Sequence, residues 1–322
     1  MRNLRQPAFW LPLLLVGLPA LWPAFDGNAS LRETMFTMLL SVALASSLNI
    51  LLGYTGYVNF GSIVFFGLGG YLGFYAITQL GWHLAPAVVF GGVAAALLAF
   101  LLGSAVLRLR GAYFALATIG INEAMKALVI NLDFLGGPTG MNLNFAVYQN
   151  YGGPAQALWT IYWALLAITL VVIGVSYFVK KSKFGLGLMA IREDEDAAEV
   201  MGVVAPRAKT MAYVLSAFFP GMVGVLFFFK NGIIEPESAF RLHMSVELLV
   251  MVMLGGAGTV LGPVLGAAFY QRLRGLLLTS DLFKNSQLVV AGVLLLLIVL
   301  FIPSGAVGWL RQRFAPLRRF LE

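Results

Sequence analysis

The residues able to do polar chemistry in this chain are few and unevenly placed. The densest group lies between Lys183 and Gly221, in KFGLGLMAIREDEDAAEVMGVVAPRAKTMAYVLSAFFPG. Glu193, Asp194, Glu195, Asp196 and Glu199 make a compact acidic block, flanked by Lys180, Lys181, Lys183, Arg192, Arg207 and Lys209. Such a charge density does not belong in hydrocarbon, and the stretch is too short to bury a core of its own. A solvated loop shaped only by its charge and a handle gripped by another protein are both open readings. A second group, Glu123 and Lys126, stands inside an apolar run, three residues apart and so on one helix face, where each can neutralise the other. Glu123 falls about 18 Å along its span, near the midplane. An internal ion pair fastening two helices and a role in a solute pathway are both open readings. Asn122 beside it, with Asn49 and Asn59, offers interhelical hydrogen bonds or polar lining. Glu247 stands near one end of its span, where capping or an interfacial position outweighs solute contact.

Enzyme chemistry finds no constellation. The chain has no cysteine, which excludes disulfides and thiolate sites. His83 and His243 have no companion at metal-ligand spacing, so no metal site is expected. Ser and Thr lack a His/Asp arrangement, and HExxH is absent. No GxxxxGK[ST] segment exists, so no nucleotide phosphate is cradled in the P-loop manner. Catalytic residues and cofactors bound by this chain are expected to be none.

The elements that must position these groups are membrane spans. The chain is 60% hydrophobic and only 11% charged, with a mean hydropathy of +0.88. Apolar runs long enough to cross roughly 30 Å of hydrocarbon recur along it. The expected fold is an all-α polytopic transmembrane bundle of about ten spans, in a single permease domain over 1–322. The spans fall at 8–25, 34–52, 58–80, 86–107, 112–131, 157–179, 210–229, 244–257, 260–279 and 286–303, the eighth short enough to be re-entrant. Arg2 and Arg5 precede the first apolar run as in a signal peptide, but LPALWPAFDG lacks a clear small-residue cleavage site, so a retained span is read.

With both termini cytoplasmic, Arg2, Arg5, Arg108, Arg110, the bases around the acidic block and Arg311, Arg313, Arg318 and Arg319 lie inside. Arg32, Lys230, Arg241, Arg272, Arg274 and Lys284 lie outside, a bias that agrees with the positive-inside rule. The net charge of +7 therefore reports topology and not nucleic-acid binding. Segment 180–209 becomes a cytoplasmic loop, and 132–156, rich in GGPTG and GGP turns, an ordered external loop. An odd number of spans in each half permits an inverted five-span pseudo-repeat.

Locally, EDEDAAEVMG is expected to form a short acidic helix, its acids at the dipole's favoured end and Gly202 as terminator. Pro206 then breaks the path before the next span. Gly258, Gly262 and Gly266 recur every four residues, as on one close-packing helix face. Plain helix packing and broken helices lining a moving pathway are both open for this cluster.

Several stretches carry a family pattern: GYTGYVNFGSIVFFGLGGY at 53–71, GAYFALATIGINEAMKAL at 111–128, FLGGPTGM at 134–141, AIREDEDAAEVMG at 190–202 and SVELLVMVMLGGAGTVLGPVLGA at 245–267. In this order they resemble the permease subunits of branched-chain amino acid ABC importers, of the high-affinity leucine/isoleucine/valine LivM type. The resemblance implies an inner-membrane importer of two related permeases, two cytoplasmic ATPase subunits that bind ATP and Mg, and a periplasmic binding protein, all in membrane lipid. It implies that Arg192, Glu193, Ala197, Ala198, Glu199 and Gly202 contact the ATPases, and it makes the Glu123/Lys126 spacing a family feature. Tyr57, Asn59, Ser62 and Ile63 depart from the usual first glycine-rich motif, and importers of urea, short amides or aromatic acids share the same core pattern. Outside this family, an ion-coupled secondary transporter would use Glu123 as its coupling charge, and a channel-like or scaffolding subunit would move nothing on demand.

Overall fold

A computed structural model describes residues 7–279, together with residues 289, 292, 293, 296, 297 and 305–308. The expected last span and the carboxy-terminal arginines fall almost wholly outside the described residues, as do Arg2 and Arg5. The chain is an all-α polytopic membrane bundle. Helices α1 (Pro7–Asp26), α2 (Ala29–Thr55), α3 (Ser62–Thr78), α4 (Leu84–Val106) and α5 (Ala112–Ile130) precede an irregular segment. After it come α6 (Pro154–Lys181), α7 (Lys183–Glu193), α8 (Glu195–Val200), α9 (Ala205–Asn231), α10 (Pro236–Ala239), α11 (Leu242–Gly255) and α12 (Leu261–Thr279). Among the described residues, seven helices are long and apolar enough to cross a membrane, counting α10 and α11 as one. Helix α3, with 17 residues, falls just short.

Helix α2 is the axis of the bundle. Asn28 caps it by accepting the Ser30 amide at 2.9 Å, and Gly56, at φ 77°, ends it in the left-handed region. Every residue from Leu39 to Thr55 is buried, which suits a helix apolar all round. Helices α3, α4 and α9 form a tight block at its side. A methyl group at Gly221 of α9 would come within 2.6 Å of Ala95 Cβ and the Gly91 carbonyl of α4, and one at Gly70 within 2.6 Å of Phe228. Backbones approach this closely only where side chains are absent, which is how helices gain packing energy in a lipid solvent.

The segment between α5 and α6 is a chain of 3₁₀ turns closed by a two-residue strand β1 (Met141–Asn142). This strand pairs antiparallel with β2 (Ile233–Ile234), Met141 facing Ile234. Tyr148 donates to the Phe229 carbonyl at 2.6 Å, and Tyr151 accepts the Leu84 amide at 2.8 Å, pinning the segment onto α9 and α4.

Three local expectations are corrected. The acidic helix is not continuous: α7 runs through Glu193, and Asp194 then turns extended and caps α8 by accepting the Ala197 amide at 3.0 Å. An aspartate is a better cap than a helix-interior residue, so the acidic run splits there. Pro206 does not interrupt α9 but sits in its first turn, where its missing N–H has no partner to lose. Gly258 is not on the α12 face with Gly262 and Gly266; it lies in the turn before that helix at φ 82°.

Candidate functional site

Two polar regions stand out, one at the α7–α8 end of the bundle and one halfway along α5. At the α7–α8 end, α8 ends in a reciprocal cap. The Gly202 amide donates to Glu199 O at 2.9 Å, and Val203 to Ala198 O at 3.0 Å, with Gly202 at φ 90°. This is the six-to-one, five-to-two pattern that a glycine terminator permits. Ala198 is buried with Ile191 and Ala205 in a small core that seats α8 against α7 and α9. Glu193, Ala197, Glu199 and Gly202 are exposed. So are Val200 and Met201, at 88% and 84%. Sequence reading overlooked this apolar tip, although a Val–Met pair outside a membrane span is itself a signal of a covered surface.

Arg192 is exposed as well, but its head reaches back to the bundle. Its Nη1 donates to the Gly53 carbonyl of α2 at 2.8 Å, beside Gly258. The same turn is held by Asn49, whose amide donates to Thr259 O at 3.0 Å and accepts the Gly258 N–H at 2.9 Å. A β-carbon at Gly258 would sit 2.8 Å from Arg192 Nη1 and 2.9 Å from Gly53 O. Gly258 therefore serves as a contact point between α2, the α11–α12 turn and α7. Gly262 and Gly266 do pack along α12, against the backbone of α11.

A network that sequence reading missed fixes the start of α8. Lys209 of α9 is 3% exposed. Its Nζ reaches Tyr57 Oη and Leu107 O at 2.9 Å each, and Glu195 Oε1 at 2.6 Å. Tyr57 in turn donates to Glu195 Oε2 at 2.9 Å. Burial pushes the Tyr57 phenol above its ordinary value, so it holds the proton it donates. Arg110 closes the rim, with Nε 3.6 Å from Glu195 and Nη2 2.9 Å from Asp196. The Arg110 hydrogen bond, and then its charge, hold the Asp196 carboxyl below its usual range. Lys209 and Tyr57 were visible only as a flanking base and a departure from a motif.

Halfway along α5 the expected Glu123–Lys126 pair is not formed. Lys126 instead pairs with Glu237 of α10. Glu123 is exposed, with no hydrogen bond or ion pair among the described residues. The physical reason is competition: side chains three residues apart lie only about 60° apart and can pair, but Glu237 takes the lysine and leaves Glu123 without it. Asn122 is fully buried and donates to the Phe240 carbonyl at 2.9 Å, while its Oδ1 has no hydrogen bond among the described residues. Since Asn122 is about 12–15 Å from either end of α5, Phe240 lies at the middle of the bundle and α11 begins there. The start of α3 lies close by. The Phe60 amide donates to Thr118 Oγ1 at 3.2 Å, and the Ile63 amide to Ser245 Oγ of α11 at 3.3 Å. Two short helices, α3 and α11, thus begin inside the bundle against one another. Arg241 occupies the N-cap position of α11 and is exposed; it makes no hydrogen bond or ion pair among the described residues, although its charge acts on the nearby Glu237 carboxylate.

Glu247 is likewise displaced from its expected interfacial place. It is 4% exposed, with Arg274 Nη1 of α12 at 3.2 Å and His243 Nε2 at 3.4 Å. No group of three or more acidic, His or Cys side chains able to hold a metal occurs among the described residues.

Comparison with known proteins agrees on one group. The family model described as branched-chain amino acid transport system / permease component matches residues 31–299. The chain is 28% identical to the high-affinity branched-chain amino acid transport system permease protein LivM of Salmonella typhimurium, over 98% of this chain and 76% of that protein. It is 29% identical to the Escherichia coli LivM over the same shares. Similarity extends to the Escherichia coli permease LivH, 24% identical over 50% of each chain. No solved structure matches.

Proposed function

Because this chain belongs to the branched-chain amino acid transport system permease family, we propose that it is one permease subunit of an ABC importer for branched-chain amino acids. It is a multi-pass membrane protein of transport type, and its proposed place is the bacterial inner membrane with both termini cytoplasmic. Its proposed partners are a sister permease, two ATPase subunits that bind ATP and Mg, and a periplasmic binding protein. The relatives named LivM and LivH support the sister permease.

The observation that carries the reading is the exposed α8 tip. Exposed Val200 and Met201, with exposed Glu193, Glu199 and Gly202 close by in the chain, offer an apolar knob in an acidic segment outside any span. A motor domain with an apolar cleft and basic edges fits such a knob, and burial of the two side chains favours docking. On the solute side, α3 and α11 begin where transporters built from interrupted helices receive their cargo. Arg241 at the head of α11 suits a carboxylate, and exposed Glu123 suits an ammonium, the two charges that an amino acid carries. Charges at such a depth face water or protein and not lipid.

The test is uptake of labelled leucine into vesicles holding the four-subunit complex, with binding protein outside and ATP inside. ATP-dependent uptake is expected, and Val200→Asp with Met201→Asp is expected to release the ATPases while leaving the permeases paired. Retention of the ATPases by that variant overturns the docking surface. Uptake abolished by collapsing the proton gradient, yet indifferent to ATP, overturns the importer reading in favour of an ion-coupled carrier. Urea or aromatic acids outcompeting leucine would move the substrate class.

A further inference from the structure

Lys209 stands one turn into α9 and is almost wholly buried. A lysine at such a position ordinarily extends its head to water. This one turns inward, and each of its three ammonium protons meets an acceptor: Tyr57 Oη, Leu107 O and Glu195 Oε1. The acceptors come from three separate parts of the chain, namely the loop joining α2 to α3, the end of α4, and the first turn of α8. Glu195 is held through both oxygens, one by Lys209 and the other by Tyr57. Withdrawing any one of these acceptors leaves a buried charge short of a partner, which is costly in a low-dielectric setting. The connection between α8 and α9, residues 201–204, is by contrast short and contains Gly202 at φ 90°. Left to itself, that turn would let α8 pivot.

We propose that Lys209 is a positioning residue for energy coupling. With Tyr57, Leu107 and Glu195 it makes α8 a rigid extension of the glycine-packed α3–α4–α9 block. A push or pull on the α8 tip is then delivered to that block instead of being absorbed at Gly202. The proposal rests on α8 being the ATPase-docking helix, and it adds which groups pass the movement on.

The experiment uses the full complex in liposomes, measuring ATP hydrolysis and leucine uptake separately, so that leucine moved per ATP is obtained. Lys209→Met takes from Glu195 its closest cation, leaving it Tyr57 and the exposed Arg110, and will impair folding as well as coupling, so the informative variant is Lys209→Met with Glu195→Gln. Removing both charges together spares the fold, as replacement of buried ion pairs by neutral groups commonly does. The double variant is expected to assemble with the ATPases and hydrolyse ATP, while leucine moved per ATP falls by an order of magnitude or more. Tyr57→Phe keeps the ion pair and removes the second hold on Glu195; a smaller fall in the same ratio is expected. A wild-type ratio in either assembled variant overturns the proposal and shows the network to be structural only. Wild-type complexes that show no ATP-driven leucine uptake overturn the functional reading first, and this proposal with it.

Discussion

Two buried ionic clusters in this bundle are built to different standards. Around Lys209 every ammonium proton has an acceptor and both Glu195 oxygens are held. Around Glu247, one carboxylate oxygen, the His243 Nε2 and the Arg274 Nε have no hydrogen bond among the described residues, although charges of both signs lie within 3.4 Å. The first cluster ties four elements together, whereas the second ties α11 to α12 alone. A fully satisfied polar network is rigid and specific, while a partly satisfied one is a place where structure can rearrange. The contrast assigns rigidity to the α8 joint and adjustability to the α11–α12 hairpin.

The sharpest way to break that contrast is Lys209→Met alone. It takes the closest cation from Glu195, which is 13% exposed, leaving it Tyr57 and the exposed Arg110, and should destabilise the permease by about 3 kcal/mol, read as a large drop in apparent Tm in detergent. A drop no greater than that of Glu247→Gln would erase the difference between the clusters. Glu247→Gln itself should cost less, about 1–3 kcal/mol, because the group it loses was imperfectly bonded. Next comes Gly258→Ala. The left-handed backbone and the Arg192 and Gly53 contacts leave no room for a methyl, so about 1–3 kcal/mol is expected, together with faster proteolysis at the α11–α12 turn.

The smallest effect belongs to the rim. Asp196 is held ionised below its ordinary range by Arg110, so its contribution to stability is present above the unfolded carboxylate pKa and is lost as pH falls through the lower folded value. Arg110→Ala should abolish this acid-side dependence and change stability little at neutral pH, since both groups are exposed and solvent-screened. A large loss at neutral pH would mean that the rim, and not Lys209, carries the joint.

Much of this was legible from composition and period. Apolar runs of spanning length give helices because nothing else satisfies the backbone in hydrocarbon. The acidic block had to lie outside the spans, and Gly202 had to end a helix, because both follow from local energetics. Pairings were another matter. Three-residue spacing placed Glu123 and Lys126 near each other, yet Glu237, remote in sequence, reaches Lys126 and leaves Glu123 facing out. Four-residue spacing grouped Gly258 with Gly262 and Gly266, yet the helix begins at Leu261 because Gly258 answers to Asn49 and Arg192.

Local sequence sets which groups are charged, apolar or permissive, since those properties belong to single residues and their near neighbours. It does not set which charge meets which. The Lys209 joint draws on Tyr57, Leu107 and Glu195, two of them more than a hundred residues away, so only the packed helices decide that α8 is held fast. The meeting of α3 and α11 at the middle of α5 is decided in the same way, because helix depth depends on what the chain packs against and not on its own period.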